Sequence, residues 1–200
     1  MAEITAKMVM ELRRQTGLGM MDCKKALQEM DGDMEKAVDY LRKQGLAAVE
    51  KRSGRQASEG IVTSYLHPGS RLGVLVEVNC ETDFVARTDD FQQFAKDIAM
   101  HIAASSPLAV GRDDLGADVV EREKAIFLEQ AKNEGKPEKI AERIVTGRLE
   151  KFYQESCLLE QAYVKDPDQT ITDLLTALIA KIGENIAIRR FACFRLGEDE

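Results

Sequence analysis

Tryptophan is absent from this 200-residue sequence, histidine occurs twice and proline four times, and aromatic residues make up only 6%. Two histidines, His67 beside a turn and His101 in a helical stretch, leave no material for a His-based metal centre or a Cys–His nucleophile pair. They read as surface or satisfied-core residues. The four cysteines, Cys23, Cys80, Cys157 and Cys193, lie far apart with no Cys-x-x-Cys, which excludes a zinc framework and a dithiol redox motif and leaves reduced thiols. No apolar run approaches the roughly 18 residues that a membrane span needs. Met1-Ala2-Glu3-Ile4 has neither the basic start nor the apolar stretch of a signal peptide, so the expected compartment is the cytoplasm.

Two further absences bear on ligands. There is no Gly-x-x-x-x-Gly-Lys-Ser/Thr loop and no Gly-x-Gly-x-x-Gly after a strand, so the expectation is that the chain binds no nucleotide and no cofactor itself. Clustered positive charge is missing too. A net charge of −7 and a pI near 5.1 argue against a nucleic-acid partner, because affinity for phosphates comes from clustered Lys and Arg. The acidity is uneven: residues 1–53 hold ten Lys/Arg against nine Asp/Glu, and residues 54–200 hold eighteen against twenty-six.

What is present is the material of a folded protein, with 44% apolar and 32% charged residues and length for one large domain or a small one joined to a larger. The first fifty residues carry three helical stripes. Thr5 caps the first, with Met8, Val9 and Leu12 on one face, and Thr16-Gly17-Leu18-Gly19 stops it. Cys23, Ala26, Leu27 and Met30 repeat the i, i+3, i+4, i+7 spacing before Asp31-Gly32. Asp33 caps a third helix bearing Met34, Ala37, Val38 and Leu41. From Ala47 to Gly60 the chain turns small, polar and charged, which suits a linker or a fraying helix. The domain boundary is expected near Gly54, giving a helical module over 1–53 and a core domain over 54–200.

Beyond it, Ile61–Leu66 and Val74–Cys80 flank Pro68-Gly69-Ser70 and read as a β-hairpin. Phe91, Phe94, Ala95, Ile98, Ala99 and Ile102 form an uninterrupted helical stripe suited to cover that hairpin. Helical pattern returns from about Val119 to Asn133, breaks at Gly135-Lys136-Pro137 and resumes through Ile140, Ile144, Val145, Leu149 and Phe152, as an antiparallel pair. Thr170 with Asp173 forms a capping-box variant before Leu174, Leu175, Leu178, Ile179 and Ile182, and Gly183 stops that helix. Ile186–Leu196 reads as a third strand whose alternation breaks at Arg189-Arg190, by a bulge or an edge position. The fold class is α+β: a helical module, then a small antiparallel sheet of about three strands covered by helices.

Asp89-Asp90, Asp113-Asp114 and Glu198-Asp199-Glu200 are the acidic groups that could ligate a metal or move a proton, but two of the three sit at a helix start or in a tail, and for Asp89-Asp90 the helix dipole favours the structural reading. No metal site and no catalytic carboxylate are assigned. The segment that resists a structural explanation is Glu77-Val78-Asn79-Cys80-Glu81-Thr82-Asp83-Phe84-Val85-Ala86-Arg87. Phe84, flanked by charge in a surface connection, either tucks back on the sheet or projects toward a partner. Pattern alone leans toward the tucked ring.

That segment, with Leu12-Arg13-Arg14-Gln15-Thr16-Gly17-Leu18-Gly19-Met20-Met21-Asp22-Cys23-Lys24-Lys25-Ala26-Leu27, resembles the two signature stretches of the elongation factor Ts family. The resemblance extends over Gly135-Lys136-Pro137, Val145-Thr146-Gly147-Arg148 and the closing Arg190–Gly197 strand. It implies an N-terminal three-helix module of the ubiquitin-associated type that docks on elongation factor Tu through Met20, Met21, Asp22 and Lys24. It also implies that Thr82, Asp83, Phe84 and Val85 press into that partner beside its nucleotide, with Phe84 dislodging the partner's magnesium and releasing GDP. Such a factor makes and breaks no covalent bond. The length leaves room for one core unit, without the duplicated core and coiled coil of the longest members, and so implies a symmetric homodimer in a two-to-two complex. An adaptor with the same helical module would leave Thr82–Arg87 without a role. An enzyme would need a nucleophile–base pair that the sequence lacks.

Overall fold

The computed structural model describes residues 4–135 and 137–198, so Met1–Glu3, the Lys136 of the interhelical break and the Asp199-Glu200 of the acidic tail lie outside the described residues. Each predicted helix forms where its stripe places it, and the Thr5 and Asp33 caps are made. Helix α1 spans Ala6–Thr16, with the Thr5 hydroxyl accepting from the Met8 N–H at 3.3 Å and Gly17 closing it at φ +69°. Helices α2 (Met20–Glu29) and α3 (Met34–Arg52) follow, the latter capped by the Asp33 carboxylate on the Lys36 N–H at 3.1 Å. Their facing stripes bury Val9, Leu12, Cys23, Ala26, Leu27, Ala37 and Leu41 as one cluster, with Met8, Met30 and Val38 packed against it. Of the two readings of Ala47–Gly60, the helix prevails as far as Arg52.

Strands β1 (Glu59–Leu66) and β2 (Leu72–Cys80) make the hairpin. Val74, Val76, Val78 and Cys80 are buried on one face of β2, while Leu75 between them is 47% exposed, the period-two signature of a sheet with one covered side. A four-residue helix α4 (Asp83–Ala86) precedes α5 (Asp89–Ser105), whose predicted stripe from Phe91 to Ile102 is buried at every position. Helices α6 (Ala117–Asn133) and α7 (Glu138–Ser156) pack together as the expected pair. Arg148 of α7 donates to Gln130 and Glu134, both at 2.8 Å. A short hairpin of β3 (Ala162–Tyr163) and β4 (Asp166–Thr170) comes next, then α8 (Ile171–Ile182) and β5 (Ile186–Arg195).

The sheet order is β1-β2-β5, so β5 is an edge strand and the edge position explains its broken alternation. Burial ends at Ile188, and everything from Ala192 to Glu198 is exposed. The β3–β4 hairpin was not expected from the sequence. Pro167 and the polar Asp166-Pro167-Asp168 give β4 no strand signal, and only its pairing with β3 makes it one.

The chain divides into two compact units, both assembled from distant stretches. One gathers the chain up to Ile61 with Val78–Phe94 and Asp173–Ala187; the other gathers Val62–Glu77, Ala95–Thr172 and the chain from Ile188 onward. The first contains the helical cluster, α4 and most of α8. The second contains the α6–α7 pair and a buried histidine. His101 is fully buried, with Nε2 2.9 Å from Gln161 Oε1 and Nδ1 accepting from the Val164 N–H at 3.3 Å. Because a backbone N–H only donates, the imidazole proton sits on Nε2, and a second proton on Nδ1 would evict that N–H.

Burial holds the His101 pKa below its ordinary 6.5, and the Gln161 hydrogen bond opposes this only partly. As pH falls, the unfolded chain therefore takes up this proton first, so the contribution is complete above the unfolded value and is lost as pH falls toward the folded one. Urea midpoints measured from about pH 7.5 to about pH 5 should fall more steeply for the wild type than for His101→Gln. Equal slopes would show that His101 does not couple folding to protons.

Candidate functional site

The first signature stretch, and the second from Val78 onward, lie in the first compact unit. In the helical cluster, the buried side of α2 is taken by Cys23, Ala26 and Leu27, which turns its other side outward. Met20 is 40% and Met21 75% exposed, and Asp22 and Lys24 are exposed beside them. Two methionines in water, flanked by one charge of each sign, make an adaptable apolar contact with a polar border. The placement fits a docking surface.

The second stretch leaves the end of β2 and forms α4 within two residues. Thr82 caps that helix, its Oγ1 accepting from the Val85 N–H at 3.4 Å. Asp83 Oδ2 accepts from Arg87 Nη2 at 2.7 Å across one helical turn, an exposed pair worth a few tenths of a kcal/mol. Ala86 is buried and Val85 half-buried, so the helix rests on its apolar underside. Phe84 points the other way. Its 77% exposure corrects the tucked reading that pattern alone favoured and places the ring in solvent on a capped turn.

Several groups that fix this segment carry no sequence signal. Glu184, just past α8, accepts from the Glu81 N–H at 3.1 Å and the Thr82 N–H at 3.0 Å on Oε2, and from the Thr82 hydroxyl at 2.7 Å on Oε1. In return the Glu81 carboxylate accepts from the Asn185 N–H at 2.6 Å and from Arg55 at 3.4 Å. The Cys80 thiol donates to the Thr82 carbonyl at 3.1 Å. Burial first, and the Glu184 carboxylate second, push that thiol up to about 11, so it stays a donor and not a nucleophile. A carboxylate after a helix-stopping glycine is an ordinary local pattern, and nothing in it identifies amides more than a hundred residues away.

The site offers binding surface. Cys23, Cys80, Cys157 and Cys193 are all unpaired thiols. Among the described residues no group of three or more His, Cys, Asp or Glu side chains is placed to hold a metal. Nor, among those residues, is any helix long and apolar enough to cross a membrane.

Comparison with known proteins bears on what the surface serves. Residues 46–177 match the family described as Elongation factor TS. Elongation factor Ts of Desulforamulus reducens is 60% identical over 198 residues, covering 99% of this chain and 91% of that protein. The same-named protein of Carboxydothermus hydrogenoformans is 61% identical over 195 residues, covering 98% and 90%. That of Geotalea uraniireducens is 63% identical with the same coverage. With both signature stretches intact and the match spanning nearly every residue, this chain belongs to the elongation factor Ts family and is a translation elongation factor.

Proposed function

We propose that this protein is the guanine-nucleotide exchange factor of elongation factor Tu, acting in the cytoplasm without covalent chemistry and without a cofactor of its own. The observation that carries the proposal is Phe84, 77% exposed on a turn that is capped and tied from below. An aromatic ring held in water has no role in its own fold and is a stiff, largely apolar anchor for a partner.

Exchange then follows from linkage. If the factor binds empty elongation factor Tu more tightly than the GDP form, GDP is weakened by the same ratio. A magnesium ion bridging nucleotide phosphates is among the largest local charges in such a site, so a ring that shifts its ligands loosens GDP electrostatically. Thr82, Asp83, Phe84 and Val85 form the intruding element. Met20, Met21, Asp22 and Lys24 dock, dividing the work between residues 1–53 and 54–200.

A homodimer in a two-to-two complex suits the same surface chemistry. β1 and β5 are the sheet edges, and Val62, Leu66, Phe194 and Leu196 are each more than 60% exposed. Unpaired edges with apolar side chains favour pairing with a second strand or sheet.

The test is release of a fluorescent GDP from elongation factor Tu in stopped flow. Release should accelerate with added protein and reach a plateau. Met21→Asp combined with Lys24→Glu should raise the half-saturating concentration about 10-fold, a typical loss for an anchor and its neighbouring charge. Release that stays at the unassisted rate at every concentration sinks the proposal.

A further inference from the structure

A four-residue helix has no stability of its own, since isolated helices need roughly 12–15 residues to be even marginal in water. α4 must therefore owe its shape to ties outside itself, and Phe84, being exposed, supplies none of them. Ala86 buries the end of α4, and the Cys80 thiol reaches the Thr82 carbonyl, but neither fixes the start of the helix as three bonds to one carboxylate do. We propose that Glu184 is the positioning residue for exchange, holding Phe84 at a fixed angle by binding the Glu81 and Thr82 amides and the Thr82 hydroxyl.

The geometry suits an anion. The consecutive N–H groups of Glu81 and Thr82 converge on the single oxygen Oε2, a concavity that favours a carboxylate over a neutral acceptor. Oε1 takes the Thr82 hydroxyl proton, which leaves the Thr82 oxygen lone pairs for the Val85 N–H. The chain from Glu184 through Thr82 to Val85 thus runs in one sense and ends inside α4, next to the wedge. Glu184 is itself braced. Arg52 Nε donates to the Gly183 carbonyl at 3.0 Å, and Asn185 gives its N–H to Glu81 and its Nδ2 to the Arg55 carbonyl at 2.8 Å. The two segments therefore exchange carboxylates, each acid holding the other's backbone, and the end of α3 is joined to the same turn.

The inference rests on the exchange reading, so the experiment separates the two. Plateau rates of GDP release are compared for the wild type, Glu184→Ala, Glu184→Gln, Phe84→Ala and the Phe84→Ala/Glu184→Ala double variant, with urea midpoints for each. Glu184→Ala should lower the plateau about 10-fold or more, the scale of a lost charge-assisted bond. Glu184→Gln, which keeps the shape and one acceptor, should fall between. In the Phe84→Ala background the second change should cost nothing further, because a wedge already absent has no angle to lose. A plateau within twofold of wild type, or a loss that adds fully to that of Phe84→Ala, overturns the inference. A wild type that never accelerates release overturns the exchange reading instead. Hydrogen exchange at the Val85 amide then decides on Glu184 alone: about 10-fold faster exchange in Glu184→Ala supports it, and unchanged exchange refutes it.

Discussion

Replacing Phe84 by alanine should slow plateau GDP release by roughly 30-fold to nearly 1,000-fold, the kinetic equivalent of about 2–4 kcal/mol for a central aromatic anchor. The fold should barely notice. With 77% of the residue in water, the change removes little buried surface, and its stability cost should stay below about 1 kcal/mol. Phe91, a few residues on in α5 and 0% exposed, provides the opposite case. Alanine there leaves a cavity and should cost about 3–5 kcal/mol. The pair separates two causes of lost activity that a single assay confuses. Phe84→Ala should lose exchange with circular dichroism and the urea midpoint intact, whereas Phe91→Ala should lose both together. If Phe84→Ala unfolds several kcal/mol more easily, the ring belongs to the core; if release stays fast, the exchange mechanism lies elsewhere.

The contrast between these two phenylalanines also marks how far the sequence could be read. Phe91 sits in a stripe of period 3.6, and every member of that stripe is buried as the spacing requires. Phe84 sits in a connection, where no period applies, and pattern leaned the wrong way; the family resemblance implied the outward ring. Caps were equally legible. Thr5 and Asp33 accept the N–H bonds their positions predict, because a cap is decided within three residues of itself.

The distant β5 was expected in the sheet, but two other pairings were not legible. The β3–β4 hairpin has no alternation to announce it, and Glu184 meets its amides across 102 and 103 residues of chain. Both are products of the finished fold. The candidate site is thus split: Phe84 and its neighbours were named from the family resemblance, while Glu184, Asn185 and Arg55, which hold that segment, carry no local signal.

Gly60→Ala should be among the most destabilising single changes, at about 3 kcal/mol or more, against roughly 1 kcal/mol for an average substitution. Gly60 holds φ +143°, and a Cβ built there would lie 2.2 Å from the Val78 carbonyl oxygen and 2.7 Å from the Asn79 Cα. Both are backbone atoms of the neighbouring strand. No rotamer change relieves such a clash, so β1 must move away from β2, a residue or two before Cys80-Glu81-Thr82 begin the turn to α4. Exchange should therefore fall along with stability. Gly147 is the control, since it lies inside α7 with nothing within 4 Å of its added Cβ. Alanine there should stabilise by about 0.5–1 kcal/mol through helix propensity alone and leave GDP release unchanged. Urea midpoints for the two variants should thus move in opposite directions. A Gly60→Ala protein as stable as the wild type would show that β1 approaches β2 less closely than the 2.2 Å clash requires.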